Sequence, residues 1–182
     1  KGRTRGRTDA RTHGGAGAAP VRLGDIAADA APRFRTGLAE FDFVIGGGIV
    51  PGSVVLVGGE PGIGKSTLLL QVAARLESAG VPTLYASGEE SPEQVRLRAQ
   101  RLEETTAGVP VLAETALERV IEQTAAVGAK IVVVDSIQTA YTEDLEGAPG
   151  NVGQVRECAA RLLRFAKESG TAVLLVGHVT KG

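Results

Sequence analysis

The run Gly59-Glu60-Pro61-Gly62-Ile63-Gly64-Lys65-Ser66 constrains this chain more than any other stretch. It fits G-x-x-x-x-G-K-[ST], the phosphate-binding loop of nucleoside triphosphatases. Its flanks have the form such a loop requires. Ser53-Val54-Val55-Leu56-Val57 is a short, apolar, β-branched run bounded by glycines, the pattern of a buried strand. Residues 67–76 read as a helix, closed by Gly80. Strand, glycine loop and helix N-terminus converge backbone N–H groups on one point, and the helix dipole adds partial positive charge. Gly59, Glu60, Pro61, Gly62, Ile63, Gly64, Lys65, Ser66 and Thr67 are therefore assigned to binding a nucleoside triphosphate. Lys65 is expected to reach the β- and γ-phosphates, and the Ser66 hydroxyl to hold Mg2+.

Apolar runs alternate with helical patterns along the rest of the chain. Strand patterns fall at 82–87, 109–112, 131–135 and 172–178. Leu38, Phe41, Val44 and Ile45 recur at helical spacing before Gly46. Further helices are expected from Ser91 through Leu102, at 117–124 before Gly128, and from Val155 to Gly170. Ser91-Pro92-Glu93-Gln94 reads as a capping box with proline at the first helical position. Alternating strands and helices predict an α/β fold, a mostly parallel sheet flanked by helices. Ligands in such sheets sit beyond the carboxyl ends of the strands. That rule gathers Glu89, Glu90, Asp135, Ser136 and His178 around the phosphate loop.

The acids there suggest hydrolysis. Asp135 closes the apolar run Ile131-Val132-Val133-Val134, the position of an acid that holds Mg2+ through water. The alternative is a strand-ending Asp that caps the next turn. Attack by water also needs a group to orient and deprotonate it. Glu89 and Glu90 are the acids that end a neighbouring strand, and either could serve, with Glu89 preferred. Both also suit the N-terminal dipole of the helix that follows. His178 is placed to sense the γ-phosphate, or it is a structural histidine. Arg96, Arg98 and Arg101 read as a solvated or subunit-facing surface, and Cys158 as a small packed residue.

Composition narrows the classes. The 182 residues allow one domain and a tail, and 43% apolar content supplies a core. A formal net charge of −1 gives no overall basic bias, so nucleic-acid contact must come from local patches. A single cysteine excludes an internal disulfide and a four-cysteine zinc site, and fits a reducing, cytoplasmic setting. No stretch has the length of a membrane span, and no signal-peptide core opens the chain. The chain lacks methionine and is expected to be a piece of a longer protein. Residues 1–32 read as a flexible basic linker, with Lys1, Arg3, Arg5, Arg7 and Arg11 against Asp9. It either touches nucleic-acid phosphate or is simply solvated. His13 lies there without partners, and a short helix is possible over 21–31. The folded domain is expected over 33–182.

The stretches RFRTGLAEFDFVIGGGIVPGSVVLVGGEPGIGKSTLLLQVA, LYASGEESPEQ, IVVVDSIQTAY, APGNVGQVRECAARLLRFAKE and VLLVGHVTK resemble the bacterial RadA (Sms) family of DNA repair proteins. That family lies among the RecA-like ATPases, near the DnaB helicases and the clock ATPase KaiC. The resemblance covers residues 33–181. It rests most on SGEES, VDSIQT, QVRECA and GHVTK taken together. It implies a RecA-like core and an ATP-driven motor that forms a hexameric ring on single-stranded or branched DNA. Such a motor drives branch migration of recombination intermediates beside a recombinase partner, and its nucleotide lies between neighbouring subunits. Residues 138–152 match the first DNA-facing loop by position, although Glu143, Asp144 and Glu146 make it acidic. The family's four-cysteine zinc finger, second DNA-facing loop, KNRFG motif and protease-like domain have no counterpart in the sequence. This stretch is therefore expected to bind ATP, with poor ring assembly and weak DNA-stimulated turnover. The alternative is a KaiC-like nucleotide-dependent assembly switch; no lid or acceptor pocket supports a small-molecule kinase.

Overall fold

The computed structural model of the chain describes residues 19–26 and 32–179. The chain divides into a unit of residues 1–30 and a unit of residues 31–182. In the first, Leu23–Asp25 forms a single 3-10 turn that buries no residue. The helix possible over 21–31 is thus reduced to that turn within the described part. The basic stretch from Lys1 to Arg11 and His13 lie outside the described residues, as does Lys181.

The second unit carries five strands and five α-helices among its described residues. In chain order they are α1 (Ala39–Val44), β1 (Val54–Gly59), α2 (Lys65–Ser78), β2 (Thr83–Ser87), α3 (Pro92–Ala99), β3 (Val111–Ala113), α4 (Leu117–Ala126), β4 (Ile131–Asp135), α5 (Val152–Ser169) and β5 (Ala172–His178). The strands form one parallel sheet in the order β1-β5-β4-β2-β3. The expected parallel α/β fold is present.

Strand periodicity builds a core on each face. On one face Tyr85, Ile131, Val133, Leu174 and Val176 pack with Leu69, Val72 and Leu76 of α2 and Val95 of α3. On the other, Leu84, Val132, Val134, Val173 and Leu175 pack with Leu117 and Val120 of α4 and Cys158 and Leu162 of α5. Alternate residues of β2, β4 and β5 therefore go to opposite cores, which explains their unbroken apolar sequences.

Two expectations need correction. β1, read as buried, is a lateral strand whose Leu56 is 62% exposed, because the crossover through α2 places β1 outside β5. The stripe of α1 also fails at its end: Leu38, Phe41 and Ile45 pack on the core, but Val44 is exposed. Six residues make too few turns to keep that position against the sheet.

Candidate active site

Backbone geometry sets up the phosphate loop. Gly62 and Gly64 have φ of +82° and +94°, conformations that only glycine adopts without strain. A side chain at Gly59 would run into Ile63. Gly64 forms the N-cap of α2, so the first N–H groups of that 14-residue helix face the loop. Lys65 is buried, and its ammonium donates to the carbonyls of Gly59 (2.8 Å) and Glu60 (2.6 Å). Gly62, Gly64, Lys65, Ser66, Thr67, Glu90, Arg98 and His178 line a cavity of about 240 Å3. Pro61 and Ile63 stand exposed on its rim. A larger apolar groove of about 650 Å3 lies between α1 and β1. It holds none of the residues that carry charge at the phosphate loop, so the smaller cavity is the candidate site.

Register explains how the acids reach the phosphate-loop end of the sheet. Ser87 pairs with Asp135 across β2 and β4, and β1 and β5 end together at Gly59 and His178. Phosphate loop, Asp135, Glu89 and His178 therefore cluster at the carboxyl end of one sheet. The Asp135–Ser136 peptide bond is cis. Asp135 is buried; its Oδ2 accepts a 2.6 Å hydrogen bond from the Tyr85 phenol, and its Oδ1 has no hydrogen-bond partner. An orphaned carboxylate oxygen at the same end of the sheet as the phosphate loop suits a hydrated divalent cation beside a triphosphate. ATP and Mg2+ thus fit the donor set. Among the described residues no group of three or more His, Cys, Asp or Glu side chains forms a metal cluster.

The two glutamates separate cleanly. Glu89 Oε1 accepts from Ser136 Oγ at 2.8 Å and lies 2.8 Å from His178 Nε2. A carboxylate can only accept, so Nε2 is the donor. Glu89 Oε2 has no hydrogen-bond partner among the described residues. Burial pushes the Glu89 carboxyl up. The hydrogen bonds from Ser136 and His178 and the charges of His178 and Lys65 outweigh it, holding the group below its usual value. Glu89 is thereby kept ionised, as a base must be. Glu90 instead receives both contacts of an Arg98 ion pair, at 2.6 and 3.4 Å.

Arg98 is the clearest correction on α3. It is 17% exposed and turned inward against Glu90 and Tyr85, not part of a solvated surface. Arg96 and Arg101 remain exposed as expected. The reversal follows from helical spacing: Arg98 lies three residues beyond buried Val95, on the same face. Sequence reading also passed over Tyr85. A phenol within an otherwise apolar strand was the available signal, because a buried hydroxyl needs a partner.

His178 is further fixed through its backbone. Gln138 Nε2 donates to its carbonyl (3.1 Å) and Gln138 Oε1 accepts from its N–H (3.2 Å). The stretch after Gln138 is likewise anchored, by buried Gln154 of α5. Gln154 donates to the carbonyls of Thr142, Leu145 and Gly147 and accepts from the Thr142 N–H. Glu143, Asp144 and Glu146 stand exposed on that loop, and Asp144 pairs with Arg161 at 2.9 Å.

The chain is similar to known proteins. The family described as AAA domain matches residues 20–182. The chain is 54% identical over 159 residues to the DNA repair protein RadA of Pseudomonas aeruginosa, covering 87% of this chain and 35% of that protein. It is 50% identical to the RadA proteins of Escherichia coli and Bacillus subtilis, covering 92% and 89% of this chain and 36% and 35% of theirs. The chain thus spans about a third of the length of these curated relatives. Among solved structures, a KaiC-like protein from Pyrococcus horikoshii OT3 aligns with a TM-score of 0.67 at 22% identity, over 82% of this chain and 71% of that one. That likeness shows the fold, a parallel sheet flanked by helices.

Proposed function

The chain belongs to the AAA domain family, and from that premise we propose that it is a Mg2+-dependent ATPase serving a DNA motor in recombinational repair. The observation that carries the ATPase reading is the division of labour between the glutamates. Glu89, held against His178 and within the field of Lys65, keeps one oxygen without a hydrogen-bond partner among the described residues, while Arg98 holds Glu90. Bound ATP would supply the scissile anhydride, and Mg2+ would neutralise its phosphate oxygens. The α2 N-terminus and Lys65 hold the triphosphate. Lys65 must turn from its own loop carbonyls to do so. Ser66 and Asp135 take the cation, through a hydroxyl and through water. Glu89 orients the attacking water and accepts its proton at Oε2. His178 and Ser136 fix Glu89, and His178 responds to the γ-phosphate through the same contact. Glu90 is a structural partner of Arg98, not the base.

The DNA assignment draws on similarity to the RadA proteins, whose name is DNA repair protein. It extends to branch migration of recombination intermediates, single-stranded or branched DNA as substrate, a recombinase partner and a cytoplasmic setting. Residues 1–32 act as a basic linker to the domain that begins at 33. A homo-oligomeric ring with the nucleotide between neighbours is supported by the cavity. At about 240 Å3 it suits a triphosphate but leaves base and ribose to be covered elsewhere. The exposed acids of the 142–147 loop favour a second reading, a KaiC-like assembly switch without DNA translocation. Binding of a labelled single-stranded oligonucleotide, with and without ATP across a salt series, separates the two. The motor predicts ATP-dependent retention that falls with salt and is lost in Lys65→Ala. No DNA binding, with oligomer size set by the nucleotide, contradicts it in favour of the switch.

A further inference from the structure

Beneath the phosphate loop a buried chain of polar groups joins α3 to the cation-side acid. The Tyr85 phenol donates to Asp135 Oδ2 at 2.6 Å and accepts from Arg98 Nη2 at 3.2 Å. Its oxygen lies 3.4 Å from the Ser66 carbonyl. The Arg98 guanidinium sits 6.0 Å from the centre of the Tyr85 ring, contacts Glu90 through Nε and Nη2, and leaves Nη1 buried without a hydrogen-bond partner. A carboxylate free to rotate offers either oxygen, and this one cannot. We propose that Tyr85 and Arg98 are a positioning pair for Asp135, in which the phenol holds Oδ2 so that Oδ1 is the oxygen available to a hydrated divalent cation.

The proposal rests on the reading of Asp135 as the cation-side acid. Arg98 fixes the phenol oxygen from the other side, and Glu90 fixes Arg98. Partners of this kind orient ligands without touching the metal.

Mn2+ serves as the probe, titrated by electron paramagnetic resonance into protein saturated with a non-hydrolysable ATP analogue. Tyr85→Phe keeps the ring and removes one hydroxyl. It should weaken Mn2+ binding about tenfold or more while nucleotide affinity in EDTA stays within about twofold. Equal losses with and without metal would mean a general loss of structure and overturn the proposal. So would unchanged Mn2+ affinity in Tyr85→Phe where Asp135→Asn weakens it. If Asp135→Asn is also without effect, the reading of Asp135 fails first and the pairing falls with it. A second measurement does not depend on the variant folding. The chain has two tyrosines, so 3-fluorotyrosine labelling gives two fluorine resonances, assigned by Tyr141→Phe. The Tyr85 resonance should move when Mg2+ is added to nucleotide-bound protein, and an unmoved resonance contradicts the pairing.

Discussion

Glu89 and Glu90 are neighbours in the chain, yet one keeps an oxygen without a hydrogen-bond partner among the described residues and the other gives both oxygens to Arg98. Sequence alone preferred Glu89 as the base but left Glu90 open, because both follow the same strand. Side-chain direction separates their contacts, and that depends on where α3 and β5 place Arg98 and His178. Cys158 shows the same dependence on surroundings. It is fully buried against the α4–α5 core, and burial, then the nearby Glu118 charge, push its thiol up to about 11. The thiolate is the reactive form, so the raised value leaves little of it at neutral pH. Alkylation by iodoacetamide should be slow in the folded protein at pH 8 and should speed up greatly in denaturant. Equal rates folded and unfolded would contradict the packed placement.

Elements whose signals are local were legible. The α3 capping box is present as read: Ser91 Oγ accepts from the Gln94 N–H and Gln94 Oε1 accepts from the Ser91 N–H. The strands fall within one or two residues of their expected bounds, since an apolar run between turn residues marks them without tertiary help. The loop before α5 was not legible. Its order comes from Asn151, which caps α5, and from Gln154, which reaches back across the loop to Thr142 and Gly147. Neither partner is recognisable before the loop is folded. Gln154→Ala leaves several buried backbone groups without partners, which costs about 1–3 kcal/mol. Urea denaturation should show that loss, and hydrogen exchange should show faster exchange over 142–147. An unchanged midpoint with unchanged protection would contradict the pinning role.

At the scale of the molecule, the sheet order brings separate stretches of sequence to one end. The phosphate loop follows lateral β1, whereas Asp135 and His178 come from central β4 and β5. The rule that ligands lie beyond strand carboxyl ends collected these residues correctly, although strand order could not be read from sequence. For the same reason the exposure of Leu56 was missed: an apolar strand looks alike at the centre and at the side of a sheet. The inward turn of Arg98 was missed because charge suggested solvent. What the assembled end of the sheet is claimed to do is activate water with Glu89. Single-turnover phosphate release, measured beside nucleotide affinity in Glu89→Gln and Glu90→Gln, tests that claim most directly. Glu89→Gln should bind nucleotide as the parent does while release slows about a hundredfold or more, with a smaller change in Glu90→Gln. Parent-like release in Glu89→Gln, or the large loss appearing in Glu90→Gln instead, would contradict it.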